Sequence, residues 1–270
     1  NGSYYTPQKL STFIWRHALE NFQHMSSLRV LEPSCGDGVF LQSVSDIEAD
    51  KSLLIVAIDI NATALAQANK AATRNNGHLK IEFINDDFLS VDLDSQYDLV
   101  VGNPPYIGRK FLSENQKELC RKIHLDGGLS DKSIRNIWPA FLVKASLSLN
   151  SKGVLALVLP GELLQVRYAE EIQEFLVSNF KAIQILTFEK LVFPALGQDV
   201  VVIFAYKNSP FTGIQHRQVN SVDSLISSIN FSQRISNSLV YKIKWSNYTL
   251  EDNDLVFLSG IAAKIGKVSD

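Results

Sequence analysis

The stretch Val100-Val101-Gly102-Asn103-Pro104-Pro105-Tyr106 puts an amide, a stiffened turn and an aromatic ring at the end of an apolar run. Pro104 has no N–H to give and keeps only its carbonyl acceptor, and Pro105 stiffens the turn further. The Asn103 amide oxygen is a second acceptor close by. An aromatic amine is a poor nucleophile, because its lone pair is delocalised into the ring. Two acceptors that hold both of its N–H bonds favour the pyramidal form with a localised lone pair. Tyr106 can stack on the base and fix its plane. Those residue types in that order can aim an amine nitrogen at an electrophilic methyl carbon. The bland alternative is an ordinary Pro-Pro turn.

A second constellation lies upstream. Leu28-Arg29-Val30-Leu31-Glu32-Pro33-Ser34-Cys35-Gly36-Asp37-Gly38 reads as an apolar strand running into a two-glycine turn and then a helix. Glycines there let a ligand approach the backbone, and the helix N-terminus adds its dipole. A dinucleotide fingerprint would show a third glycine, which is missing, and Glu32 and Asp37 would repel a pyrophosphate. They suit a cationic ligand carrying an ammonium and a sulfonium; a tight turn with no ligand is the other reading. Asp59 follows about 20 residues on, where an acid commonly grips ribose hydroxyls, although a helix N-cap there has the same composition. Asp86, Asp87 and Phe88 come next, and could hold an adenine amino group and ring or simply end a strand. All of these groups fall at the carboxyl ends of successive strands, the edge of an open α/β sheet where ligands bind.

The elements that must position them alternate. Leu28–Glu32, Leu53–Ile58, Lys80–Ile84, Asp98–Val101 and Gly153–Leu159 read as strands, and the continuous apolar run Leu53–Ile58 as one buried on both faces. Helices are expected over Leu10–Phe22, from Val39, from Asn61 to Asn75 with Asn76-Gly77 as its stop, over Ile137–Leu149 and over Ala169–Asn179. Ile183–Phe188 and Val200–Tyr206 have no good helix between them and are expected to pair antiparallel at a sheet edge. This is a βαβ series with a mainly parallel sheet. The Ser- and Asn-rich stretch from Asn208 to Asp270 reads as a flank, outside the sheet.

With 270 residues, 46% apolar content and a net charge of −2, the chain can build one large α/β domain, with or without a small appendage. No run of about 18 apolar residues is present, so no membrane span is expected. Cys35 and Cys120 are the only cysteines, which suits a reducing, cytoplasmic setting. The five histidines show no ligand spacing, so no metal is assigned. The near-neutral charge is unusual for a nucleic-acid binder, so basic groups must cluster locally or lie elsewhere in the protein. The chain opens at Asn1 and its only methionine is Met25, so it reads as a fragment of a longer protein, with Asn1, Gly2 and Ser3 as a cloning remnant.

Asn103-Pro104-Pro105-Tyr106 and Glu32-Pro33-x-x-Gly36-x-Gly38 resemble the catalytic motif and cofactor loop of the S-adenosylmethionine-dependent amino-methyltransferases of nucleic acids. With Tyr5-Thr6-Pro7 ahead of the first strand, the motif order is similar to that of the γ-type, TaqI-like DNA adenine-N6 methyltransferases of restriction–modification systems, over roughly residues 5–207. That resemblance implies a Rossmann-like class I methyltransferase fold, with a mainly parallel seven-stranded sheet, an antiparallel edge strand and helices on both faces. It implies S-adenosylmethionine as cofactor, held by Thr6, Glu32, Pro33, Ser34, Cys35, Gly36, Gly38, Asp59, Ile60, Asp87, Phe88, Pro105 and Phe141. Asn103, Pro104 and Tyr106 would be catalytic, and Val192-Phe193-Pro194 resembles the motif whose aromatic stacks on a flipped base, so that Tyr106 and Phe193 would sandwich an adenine. Extrusion of a base costs a few kcal/mol, which stacking at about 1–3 kcal/mol per base can offset.

The same resemblance divides the chain into a catalytic domain over 1–207 and a flank over 208–270, with Leu255–Asp270 as the entry to a target-recognition domain that is mostly absent. Double-stranded DNA is the expected partner, with a restriction endonuclease domain or subunit as a second. Arg109, Lys110, Lys117, Arg121 and Lys122, ahead of Gly127-Gly128, suit either a mobile loop touching phosphates or a solvated helix face. Asn-Pro-Pro-Tyr also occurs in enzymes that methylate release-factor glutamine or RNA bases. The glutamine enzymes usually carry a helical domain before the cofactor loop, which the short stretch ahead of Leu28 does not supply; RNA is harder to set aside. A cofactor-holding scaffold subunit without catalysis is a further alternative, against which the intact Asn103–Tyr106 motif speaks. A nicotinamide-dependent oxidoreductase conflicts with the acidic two-glycine turn.

Overall fold

The computed structural model describes residues 6–47, 51–72, 78–94, 96–131, 134–194, 197–225, 229–233 and 245. The expected Tyr5, the stop at Asn76-Gly77 and the stretch Leu255–Asp270 lie outside the described residues. Strands β1 (Ser27–Glu32), β2 (Ser52–Ile58), β3 (Leu79–Ile84), β4 (Tyr97–Gly102) and β5 (Leu149–Pro160) are followed by β6 (Ala182–Phe188), β7 (Val200–Tyr206), β8 (Gly213–Val219) and the two-residue β9 (Ser232–Gln233). They form one sheet in the order β3-β2-β1-β4-β5-β7-β6-β8-β9. The first five are mutually parallel, β7 runs against both β5 and β6, and β8 is parallel to β6.

The mainly parallel α/β sheet is as expected, with differences on the β6–β9 side. Eight full strands and the short β9 replace the expected seven. The β6–β7 pair is antiparallel but does not end the sheet, because β8 pairs along the whole of β6, from Ala182↔Gly213 to Phe188↔Val219. The sheet therefore continues beyond residue 207, into the stretch read as lying outside it. The signal was weak because β8, Gly213-Ile-Gln-His-Arg-Gln-Val219, buries only Ile214 and His216 and so lacks a continuous apolar run.

Successive residues of the central strands point to opposite faces. Val30, Leu99, Val101, Ala156 and Val202 face the layer made by α1 (Gln8–Leu19), α2 (Val39–Ser45) and α3 (Ala62–Ala72). Leu31, Val100, Leu155 and Ile203 face α4 (Glu114–Asp126), α5 (Trp138–Leu147), α6 (Glu162–Gln165) and α7 (Glu170–Asn179). β5 and β7 are buried almost throughout, as strands covered on both sides must be. Trp15 of α1 is fully buried and donates its indole N–H to the Phe40 carbonyl at 2.9 Å, fixing α1 against α2. Cys120 on α4 is buried, and burial pushes its thiol pKa up to about 12.

Helix α4 was not foreseen, although Ser113-Glu114-Asn115-Gln116 carries the residues of a capping box: Ser113 Oγ accepts from Gln116 N at 3.2 Å and Gln116 Oε1 accepts from Ser113 N at 3.2 Å. The basic run after the catalytic loop therefore falls largely on a solvated helix face. Lys117 pairs with Glu114 at 2.7 Å and Arg121 with Glu118 at 2.8 Å.

Candidate active site

β1, β2 and β3 lie on one side of the β1–β4 pairing, and β4 and β5 on the other, so the strand order reverses there. A cavity of about 270 Å³ opens at that switch point, outside the carboxyl ends of the strands. Its wall includes Pro33, Ser34, Cys35 and Gly36 after β1, Asp59 and Ile60 after β2, and Asp87 and Phe88 after β3. Asn103, Pro104 and Pro105 after β4, Phe141 of α5 and Thr6 ahead of α1 complete the set read from the sequence. Glu32, Gly38, Tyr106 and Phe193 do not line it.

The turn after β1 has the backbone that its glycines imply. Gly36 (φ 54°) and Gly38 (φ 88°) are left-handed, and a Cβ on Gly38 would meet Ala68 of α3 at 2.8 Å. Asp59 ties this turn down. Its Oδ2 accepts from Gly36 N and its Oδ1 from Asn61 N, both at 2.8 Å. The helix cap is Asn61, whose Oδ1 accepts from Thr63 N at 3.0 Å and Ala64 N at 3.2 Å, so Asp59 is not spent on capping. Asp87 Oδ1 accepts from Leu89 N at 3.0 Å and Oδ2 from Gln116 Nε2 at 3.3 Å. Gln116 lines the cavity and was missed with α4; the capping-box spacing was the signal that could have found it. Phe88 lies against Phe141, ring centroids 4.9 Å apart.

The catalytic candidates are held by a small network. Asn103 Nδ2 donates to Thr6 Oγ1 at 3.2 Å, the Tyr106 hydroxyl donates to Asn103 Oδ1 at 2.8 Å, and the same hydroxyl reaches the Val158 carbonyl of β5 at 3.1 Å. The amide thus cannot turn over without losing both partners, and Oδ1 keeps a lone pair. The described residues donate no hydrogen bond to the Pro104 carbonyl. Ser34 Oγ donates to the Asn103 carbonyl at 3.2 Å, joining the turn after β1 to the turn after β4. Tyr106 is a positioning group behind Asn103 here, and burial holds its phenol pKa well above the usual value. Phe193 is 7% exposed, bridges Gln198 and belongs to the apolar layer under α1; the structure does not bring it to the cavity.

The electrostatics are acidic. Glu32 is fully buried behind the wall, and among the described residues neither carboxyl oxygen has a hydrogen-bond partner. Burial, then the neighbouring Asp59 and Asp37, hold its pKa well above the ordinary range. Burial also raises Asp37, which lies on the wall. The Cys35 thiol is buried in the wall, with its pKa pushed far up by desolvation and then by Glu32. Among the described residues no cluster suits a metal ion, and no helix is long and apolar enough to cross a membrane.

The profile of the Eco57I restriction-modification methylase family matches residues 40–193. The chain is similar to the type II methyltransferase M.AccI of Acinetobacter calcoaceticus, 25% identical over 94% of this chain and 48% of that protein. In structure it is similar to a Listeria monocytogenes protein described as a candidate class I S-adenosylmethionine-dependent methyltransferase, with TM-score 0.65 and 16% identity over 80% of this chain and 66% of that one. It is also similar to DrdV in its complex with DNA, with TM-score 0.65 and 15% identity over 89% of this chain and 31% of that one. The chain spans about half or less of the length of the curated relatives it matches.

S-adenosylmethionine is the cofactor, and the cavity fits it. Asp37, Asp59 and Asp87 ring the wall without a cation among the lining residues, which suits a ligand bearing a sulfonium and an ammonium, while Ile60, Phe88 and Phe141 supply apolar faces for a purine. The match over residues 40–193 covers more than half of the chain, which therefore belongs to the Eco57I restriction-modification methylase family.

Proposed function

We propose that this chain is the catalytic part of a site-specific DNA methyltransferase that methylates the exocyclic N6 amine of an adenine extruded from duplex DNA, within a restriction–modification system. The observation that carries the proposal is the fixed Asn103 amide. Thr6 and Tyr106 set its orientation, and Asn103 and Pro104 both lie on the wall that also carries the cofactor residues. In this reading Asp59 takes the ribose hydroxyls, Asp87 an amino group, and Phe88 with Phe141 the purine faces. When bound, S-adenosylmethionine supplies an electrophilic methyl group.

Asn103 Oδ1 and the Pro104 carbonyl accept the two amine N–H bonds and direct the nitrogen lone pair. As the nitrogen–methyl bond forms and the sulfur–methyl bond breaks, the methylated amine loses its extra proton to solvent, with no covalent enzyme intermediate. Tyr106, assigned a stacking face by resemblance, does not line the cavity and holds the Asn103 amide through its hydroxyl. Phe193, assigned a second face by resemblance, would have to leave the apolar layer where it sits. A target-recognition domain beyond the described residues supplies the choice of sequence, and the partners are double-stranded DNA and a restriction endonuclease domain or subunit in a cytoplasmic setting.

The test is Asn103→Ala with duplex DNA and labelled S-adenosylmethionine. Transfer is expected to fall by at least about 10²–10³-fold, while affinity for S-adenosylhomocysteine stays within a few-fold. Nucleoside analysis of the wild-type product should give N6-methyladenine. Recovery of N4-methylcytosine, or of methylated RNA or glutamine in place of DNA, would overturn the substrate; normal turnover by the variant would overturn the mechanism.

A further inference from the structure

Phe111 is the most exposed of the large apolar side chains among the described residues, at 72%. It ends the short turn Arg109–Phe111, which follows the catalytic loop directly. The turn is not loose. Phe111 N bonds Gly108 O at 2.9 Å and Leu112 N bonds Arg109 O at 3.1 Å, and Leu112 is buried. Its other side is tied to the segment before α5, with Arg109 N on Arg135 O at 2.9 Å, Ile137 N on Ile107 O at 3.0 Å and a bridge between Gly108 and Asn136. Ile107 and Ile137 line the cavity, so the turn is built onto the rim of the site.

Three exposed cations belong to this turn and the segment paired with it. Lys110 Nζ lies 4.8 Å from the Phe111 centroid, and Arg109 and Arg135 are joined backbone to backbone in the paired segments. None of the three takes part in a salt bridge among the described residues, whereas Lys117 and Arg121 on the next helix are engaged by Glu114 and Glu118. The neighbouring acid Glu114 also feels Arg109, but its carboxylate is taken by Lys117 at 2.7 Å. In a chain of net charge −2, a rigid aromatic amid free cations at the mouth of the cavity is chemistry complementary to a polyanion of stacked rings.

We propose that Arg109, Lys110, Phe111 and Arg135 form a duplex-DNA contact surface at the rim of the site, the cations on phosphates and the Phe111 ring against the base that loses its neighbour when a nucleotide is extruded. This rests on the methyltransferase reading above. Removing a base from the stack leaves the adjoining base with one bare face, and a fixed aromatic beside the receiving cavity replaces the lost partner.

The experiment uses the 270-residue chain and fluorescence anisotropy on two duplexes, one intact and one with a single abasic site, at several salt concentrations. Calorimetry with S-adenosylhomocysteine on every variant reports the fold and the cofactor pocket. The triple variant R109A/K110A/R135A is expected to flatten the slope of log K against log salt by about 2 to 3. Phe111→Ala should keep the slope but lose the preference for the abasic duplex, by about tenfold for one base–aromatic stack, and Phe111→Trp should restore it. An unchanged slope in the triple variant overturns the phosphate contacts; an unchanged preference in Phe111→Ala, or no preference in the wild type, overturns the stacking. A wild-type chain that takes up S-adenosylhomocysteine yet binds no duplex at the lowest salt overturns this surface and leaves the methyltransferase reading standing. Failure to take it up overturns that reading instead.

Discussion

Single residues in this site differ in how plainly their chemistry could be read. Asn103 and Pro104 were legible as residues of the cavity wall, because an amide followed by two prolines and an aromatic ends an apolar strand. The role of Thr6 as a clamp on the Asn103 amide was not, since the two are distant in sequence and only the fold brings Oγ1 within 3.2 Å of Nδ2. Glu32 was legible as an acid at the turn, but not as a buried one. Its folded-state pKa is raised, so unfolding releases a proton at any pH between the ordinary glutamate value of 4.5 and the raised one. Its contribution to stability is complete below that ordinary value and is lost as pH rises toward the folded pKa. Glu32→Gln should therefore raise the melting temperature of the cofactor-free chain more at pH 8 than at pH 5; parallel melting curves at the two pH values would refute the burial argument. Asp59→Ala should weaken S-adenosylhomocysteine binding by roughly 10–100-fold, the loss of charge-assisted hydrogen bonds to a ribose. An unchanged dissociation constant in calorimetry would leave Asp59 as a brace for Gly36 alone. Phe193→Ala should lower stability by about 3–5 kcal/mol, as for a core phenylalanine. A melting temperature unchanged alongside a loss of transfer would place its work at the target base.

At the level of elements, β1, β2, β4 and β5 were readable because strands covered on both faces show apolar runs, while the edge strand β3 carries Lys80 and Glu82 and buries no residue fully, and the outlying β8 is mostly polar. Helix α4 escaped because its apolar face is thin, with only Cys120, Ile123 and His124 buried, so its capping residues carried more information than its periodicity. The packing of α3 on the turn after β1 tests the element scale directly. Gly38→Ala must adopt a positive φ and push α3 away from a 2.8 Å contact, at a cost of about 1–3 kcal/mol or more. The expected result is a lower melting temperature together with weaker S-adenosylhomocysteine binding, because the displaced turn carries the cavity wall. Gly36→Ala meets nothing within 4 Å and should show the conformational cost alone. Equal melting temperatures for the two variants would remove the packing argument.

Across the whole molecule, the switch point between β1 and β4 explains why residues scattered from Thr6 to Phe141 line one cavity: every strand from β1 to β4 ends there. The site was thus readable as a cluster at the carboxyl ends of successive strands, while the extent of the sheet was not, because composition changes at Asn208 before pairing stops. Ending the chain at Lys207 would strip β8 from the full length of β6 and leave an apolar edge open. That truncation is expected to melt at lower temperature and to aggregate in light scattering; a monodisperse product with unchanged melting would make β8 dispensable. The two cysteines of the chain are both buried, one in the cavity wall and one on α4, each with a thiol that desolvation keeps protonated at neutral pH. Maleimide chemistry will therefore pass over the native protein. A cysteine introduced at the exposed rim becomes the sole labelling point, ready to carry a fluorophore without first removing Cys35 from the pocket that it helps to build.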